Sequence, residues 1–317
     1  MKIFFLSFFS CVPLILFAQE DLLKSLDTMA VKEKSHDKVT AIFKTTKIIN
    51  MQTPQTVGEG ELDFRITHRF GNSGKASNGG IHTLFGWDAI SDVRFSFDYG
   101  ITKNFQVGIA RNKKSENLDG SLKWRFLEQT LDNRVPLSIC AYTIASLTPM
   151  RKTTFYAGAD SAWVASSAKF AHRIVYTSQI IFARKFSNWL SLAITPSYTH
   201  RNYVLANVNT SNGAIDENDL FSVGGGIRLK VSRSVSLLAD YFYVESIYRR
   251  KNPSMPHYHP LAIGIEIETG GHVFHLNLTN ASGIIDNDFI PNTIDTWGKG
   301  GHKFGFNISR VFTIVNK

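Results

Sequence analysis

Arg65, Arg69, Arg94, Asp98, Lys123, Arg125, Arg228, Lys230, Asp240, Glu266 and Glu268 share one property. Each stands at an alternate position of a short apolar run. Guanidinium, ammonium and carboxylate groups arrayed along one surface sort charged solutes when that surface borders water. The same groups can instead neutralise one another in pairs and fill a narrow space. Strand number does not decide between these outcomes, because barrels of about eight strands are filled by side chains and those of about sixteen leave a channel.

Two other constellations have chemistry within reach. His257 and His259, in the run HYH, place two imidazoles on one side of an extended segment between Pro256 and Pro260. A zinc site takes about four ligands. His272 and His275 fall at the other end of the molecule, so the expected role of HYH is a solvated loop with no metal. His68, Ser178 and His200 are polar intruders on otherwise apolar parities. A Ser–His pair on the outside of a barrel can hydrolyse esters, but only within hydrogen-bond reach. Here the residues fall on different strands or at different heights, so no catalytic residue and no enzyme activity is expected. No phosphate loop, CxxC or nucleophile elbow is present, and no cofactor is expected. The glycine run Gly224, Gly225 and Gly226 reads as a bend or bulge within a strand.

The elements that carry the charges are strands. In GELDFRITHRF, Leu62, Phe64, Ile66, His68 and Phe70 fall on one parity, and Glu61, Asp63, Arg65, Thr67 and Arg69 on the other. Period-two alternation marks a strand with two unlike faces. The pattern recurs in DVRFSFDYGI, NFQVGIA, LDGSLKWRF, FSVGGGIRLKV, VSLLADYFYV, LAIGIEIET, HVFHLNLTN and HKFGFNISRVF, and more weakly at 134–148, 171–186 and 188–201.

The connections alternate between short and long. ITKN, FSNW, VSRS and TGGH are tight, whereas 71–91, 148–170, 202–219 and 281–301 are long. Outer-membrane barrels have this rhythm, with short periplasmic turns and longer external loops. It predicts an all-β fold: a single antiparallel transmembrane barrel of about twelve strands over residues 58–317. The apolar parity then faces lipid and the charged parity a wet lumen. The reverse would place Arg or Lys in hydrocarbon at about 2–4 kcal/mol each near the midplane. The strand-like segment Val39–Asn50 is surplus to an even count. Residues 19–57 are therefore expected at the periplasmic mouth or tucked into the lumen. Trp87 and Trp297 lie in long loops, where a Trp packs a loop on the rim or meets a partner.

Composition agrees with a folded, exported chain. Of 317 residues, 43% are hydrophobic and 24 are Phe. Lys2 followed by the apolar run Ile3–Phe17 and by Ala18 reads as a signal peptide over residues 1–18. Its removal leaves Cys140 with no partner for an intrachain disulfide. The formal charge of +9 is spread along strands and loops rather than clustered, which argues against nucleic-acid binding. The expected partners are outer-membrane lipid, lipopolysaccharide and the barrel-insertion machinery, together with a small solute of unknown identity.

The runs FKTTKIIN (Phe43–Asn50), ELDFRITHRFG, HLNLTNASG and GGHKFGFNISRVF resemble an uncharacterised β-barrel family, a domain of unknown function typical of Bacteroidota outer membranes. The resemblance spans roughly residues 38 to 315. It implies a cell outer-membrane location and a barrel fold, and it carries no activity or site residue. The chain departs from many outer-membrane barrels in trailing TIVNK beyond its last aromatic, Phe312. The expected function is a passive channel for small polar solutes. The alternative is an occluded structural or partner-binding barrel.

Overall fold

The computed structural model describes residues 37–315; the signal peptide expected over residues 1–18 lies outside them. Twelve strands follow in order: β1 (Glu61–Asn72), β2 (Ile90–Thr102), β3 (Phe105–Asn112), β4 (Leu118–Leu127), β5 (Ser138–Leu147), β6 (Ile174–Lys185), β7 (Leu190–Arg201), β8 (Asp219–Lys230), β9 (Val235–Glu245), β10 (Leu261–Glu268), β11 (Val273–Thr279) and β12 (Lys303–Thr313). Each pairs antiparallel with its chain neighbours, and β1 pairs with β12 to close the barrel, from Glu61↔Thr313 to Arg69↔Gly305. Closure leaves no open sheet edge, the condition for strands to cross a membrane. None of the described helices is long and apolar enough to cross one.

Burial alternates along the strands in the sense opposite to a water-soluble protein. On β1, Asp63, Arg65, Thr67 and Arg69 are buried while Leu62, Phe64, Ile66 and Phe70 are partly exposed. On β2, Asp92, Arg94 and Ser96 are buried while Phe95 and Phe97 are exposed. The exposed parity forms the lipid-facing wall, where cross-strand rings stack, as Phe64 does on Phe97 at 5.0 Å. Lys103–Asn104, 186–189, 231–234 and 269–272 make the short turns at the periplasmic end. The longer loops lie at the other end and carry α1 (Lys152–Phe155), α2 (Ser161–Ser167) and α3 (Asp286–Asn292).

Three features depart from the sequence pattern. Val39–Asn50 forms no strand. Its apolar residues suit a strand, but no wall strand offers it a ladder. Instead residues 37–57 run into the lumen from the periplasmic end and turn back as a tight hairpin. Ile48 N–H donates to Met51 O at 2.8 Å, and Thr53 N–H to Thr46 O at 3.0 Å. The glycine run on β8 is neither bend nor bulge, since register continues unbroken on both sides. Gly226 makes room instead: a Cβ there would stand 2.3 Å from Ile48 Cδ1 and 2.9 Å from Met51 Sδ. The β11–β12 loop, finally, does not simply extend outward. It folds into the barrel, and Asp286–Pro291 of α3 are all buried.

The lumen wall carries an apolar patch among charged groups. Ala183, Ala193, Leu238, Phe242 and Ala262, on β6 to β10, form an apolar core with Ile42, Phe43, Ile48, Ile49 and Met51 of the hairpin and with Phe289 and Ile290 of α3. Phe242 meets Phe289 edge-on at 5.1 Å. β1 to β4 contribute buried charges, Asp63, Arg65, Arg69, Asp92, Arg94, Asp119 and Lys123, and β8 to β10 add Arg228, Asp240 and Glu266.

Candidate functional site

The charged parity divides by what each group binds. Some charges neutralise one another along the wall. Arg65 bonds Asp63 at 2.9 Å, and Arg94 holds Asp119 in a two-pronged pair, one arm at 2.8 Å. Arg228 bridges Glu266 at 2.7 Å and Glu268 at 2.8 Å. His275 Nε2 lies 3.2 Å from Glu266, and Lys44 of the N-terminal segment lies 3.0 Å from Glu268. Arg125 sits near the short-turn end, bonded to Asn104 Oδ1 at 3.0 Å and Gln55 Oε1 at 3.3 Å. Asp98 faces inward beside Gly108, and Lys230 is half-buried at the periplasmic end of β8.

Asp240, Arg69 and Lys123 hold the hairpin instead. Asp240 Oδ2 accepts the backbone N–H groups of Ile49 (3.0 Å), Asn50 (2.7 Å) and Met51 (3.2 Å), while Oδ1 accepts Asn50 Nδ2 at 3.1 Å. The hairpin tip has no strand partner, so its amides need an acceptor. A carboxylate meets several at once with charge-assisted bonds. Lys123 donates to Thr46 O at 2.9 Å and Gln52 Oε1 at 3.1 Å. Arg69 donates to Asn50 Oδ1 at 2.8 Å, to Ala281 O at 3.1 Å and to Gly283 O. One guanidinium thus joins the tip of the inner hairpin to the inward-folded outer loop. Lys47 adds a second link, donating to Ile284 O at 3.1 Å.

α3 is fixed to the wall and to the β9–β10 loop as well. Gln179 Nε2 donates to Asp286 at 2.9 Å, Asn287 Nδ2 to Ser146 Oγ at 3.0 Å, and Arg249 Nε to Pro291 O at 3.1 Å. Around these contacts, Asp63 Oδ1, Gln179 Oε1, Asn277 Oδ1, Asp286 Oδ2 and Asn307 Oδ1 are buried without a protein partner among the described residues. Buried polar atoms of this kind are satisfied by water.

Residues singled out for other chemistry lie apart from this site. Ser178 Oγ is 3.0 Å from Thr143 Oγ1 on the lipid face. His200 binds Asp219 through Nδ1 at 2.7 Å and Asn202 through Nε2 at 3.1 Å. His68, on β1, stacks with Phe306 at 5.4 Å. His257 Nδ1 donates to Met255 O at 2.8 Å, while His259 Nδ1 accepts Val244 N–H at 3.2 Å. Their Nδ1 bonds therefore assign opposite tautomers to the two imidazoles. Asp63, Asp92, Asp119 and His275 share the inner parity and were legible by the same alternation. Asn50, Lys47 and the carbonyls of 281–284 carried no such signal, because irregular backbone has no period.

The family described as "Membrane bound beta barrel domain (DUF5777)" matches residues 43–312. Among solved structures the chain is similar to the NanC porin in a rhombohedral crystal form, at 10% identity and a TM-score of 0.45, covering 79% of this chain and 98% of that one. It is similar to the KdgM porin in complex with disordered oligogalacturonate, at 7% identity and a TM-score of 0.43, covering 80% and 99%. It is also similar to the outer membrane protein Omp33 of Acinetobacter baumannii, at 8% identity and a TM-score of 0.38, covering 82% and 100%. No curated protein sequence matches it.

Proposed function

The chain belongs to the family of membrane-bound β-barrel domains; we propose that it is a gated channel for small polar solutes in the outer membrane. At rest the 37–57 hairpin and the β11–β12 loop shut the lumen. The observation that carries this reading is how the hairpin is attached. Both its legs reach the periplasmic end: Lys38 bridges to Thr130, and Thr56 donates to Lys103 O. No ladder joins its tip to the wall, and side chains of Asp240, Arg69 and Lys123 hold it there. It can withdraw toward the periplasm without breaking a wall strand, leaving the charged side chains of the lumen to water. Arg69 couples this step to the outer loop, so a ligand that moves residues 281–283 loosens the hairpin below.

A second reading is favoured by Gly226 and by the apolar core between hairpin and wall. Such packing suits a barrel that stays filled and acts through its outer loops. Single-channel recording in planar bilayers distinguishes the two. The gated reading expects the full chain to rest closed with brief openings, and Arg69→Gln to open more often while still migrating as a folded, heat-modifiable band. Silence from both folded proteins favours the filled barrel. A steady open pore from the unmodified chain overturns gating.

A further inference from the structure

The β1–β2 loop exposes apolar side chains where a water-facing loop would carry polar ones. Ile81 is 74% exposed, Leu84 and Phe85 54% each, and Trp87 50%. The loop also pays for its shape: Leu84 (φ +47°) and Phe85 (φ +55°) occupy the left-handed region. Residues with side chains rarely adopt it. The conformation is held firmly. Phe85 N–H donates to Gly80 O at 2.7 Å, and Gly71 N–H to Ala89 O at 2.8 Å and Gly86 O at 3.0 Å. At Gly86 (φ +89°) a Cβ would stand 2.4 Å from Gly71 O, so the loop lies flush against the end of β1.

What covers the patch follows from its continuity with the wall. The Trp87 ring stacks on Phe304 at 4.8 Å, 15° between planes, and tilts against Phe70 at 5.0 Å. Phe70 and Phe304 belong to the lipid-facing parity of β1 and β12. The loop therefore extends the lipid-facing surface beyond the strand ends, over the seam that closes the barrel. Beside it, Lys75 and Lys299 are exposed on two short turns tied together by Gly74 N–H to Gly300 O at 2.8 Å and by Ser77 Oγ to Gly300 O at 2.8 Å. Apolar rings next to ammonium groups are the pattern of a segment lying in a membrane interface.

We propose that the β1–β2 loop lies in the outer leaflet, its Ile81, Leu84, Phe85 and Trp87 side chains among acyl chains and Lys75 and Lys299 at the phosphates of anionic lipid. The loop is then a membrane anchor that clamps the outer end of the β1–β12 seam. This holds whether or not the lumen conducts.

The test is electron paramagnetic resonance on the full chain in phosphatidylcholine vesicles, with and without phosphatidylglycerol. A nitroxide is placed at Phe85→Cys, and the native Cys140 is buried. Ile263→Cys, in the lipid-facing wall, and Thr210→Cys, at an exposed loop, are the references. The expected oxygen-to-nickel accessibility ratio at Phe85→Cys is several-fold above that at Thr210→Cys and close to that at Ile263→Cys. A ratio like that of Thr210→Cys overturns the proposal. Shielding from both relaxers also overturns it, since a protein surface would then cover the patch. The double variant Lys75→Gln, Lys299→Gln should lower the ratio only in vesicles containing phosphatidylglycerol. An equal effect in both vesicle types overturns the headgroup contact.

Discussion

Asp240 anchors the hairpin tip inside the lumen. Among the described residues it faces no basic partner at hydrogen-bond distance, and it accepts three consecutive amides of the hairpin tip. Removing the acceptor leaves buried N–H groups unmet, at roughly 1–3 kcal/mol. Asp240→Ala should therefore raise the open fraction in bilayer recordings by about 5- to 150-fold, the range that 1–3 kcal/mol spans. An unchanged open fraction in a folded variant would show that the tip is held elsewhere. His257 makes a separate prediction in the β9–β10 loop. Burial, with the Arg249 guanidinium nearby, pushes its imidazole from 6.5 down to about 4; Asp216 and Arg201 also act on it, with opposite signs. The folded loop therefore binds fewer protons than the unfolded one. Its stability is fully present above about pH 6.5 and is lost as pH falls toward about 4. Hydrogen exchange over residues 246–260 should accelerate across that window, and His257→Gln should weaken the pH dependence, leaving the share of His259, whose imidazole burial also lowers.

At the scale of elements, legibility follows periodicity. The wall strands could be read because a barrel has only two environments, lipid and lumen, and alternation reports both at every second residue. The charged residues singled out on β1, β2, β4, β8, β9 and β10 share one parity of their strands for the same reason. Their partners could not be read. Whether Asp240 meets water, an arginine or a backbone amide depends on a segment 190 residues away in the chain. That segment adopts bends rather than a repeating shape. Ile284, Ile285, Phe289 and Ile290 were the one available hint that 281–301 turns inward, since a solvated loop has little use for them. The fit between elements is testable at Gly226. Gly226→Leu keeps an ordinary strand backbone but drives its side chain into Ile48 and Met51. The barrel should assemble normally while the hairpin is displaced and conductance rises. Loss of assembly together with conductance would mean that wall and hairpin fold as one unit.

For the whole molecule, an inside-out arrangement of polarity decides where the chain can live. Ile265 faces lipid on β10, and its neighbour Glu266 lies inside, bonded to Arg228 and His275. Ile265→Arg should cost about 2–4 kcal/mol near the midplane and lower the yield of folded barrel in outer membranes. Ile265→Leu should be neutral. Equal yields for the two would show that this face does not meet hydrocarbon. The two interior segments also stand in a set relation to the seam. The hairpin precedes β1 and the inward-folded loop precedes β12, so the strands that meet to close the wall are those tethered to its contents.

In the gated reading, that tether governs how the barrel behaves once opened. Only Gly58, Glu59 and Gly60 separate Val57 of the hairpin leg from β1, and Gly60 N–H is bonded to Gly100 O at 2.9 Å. A chain segment spans at most about 3.3–3.6 Å per residue, so a withdrawn hairpin stays beside the mouth it left. Its effective concentration there is on the order of millimolar, independent of how much protein the membrane holds. Rebinding is then a first-order event that dilution cannot slow. Openings should end by themselves, and a lasting open state requires something in the periplasm that competes for the hairpin by mass action.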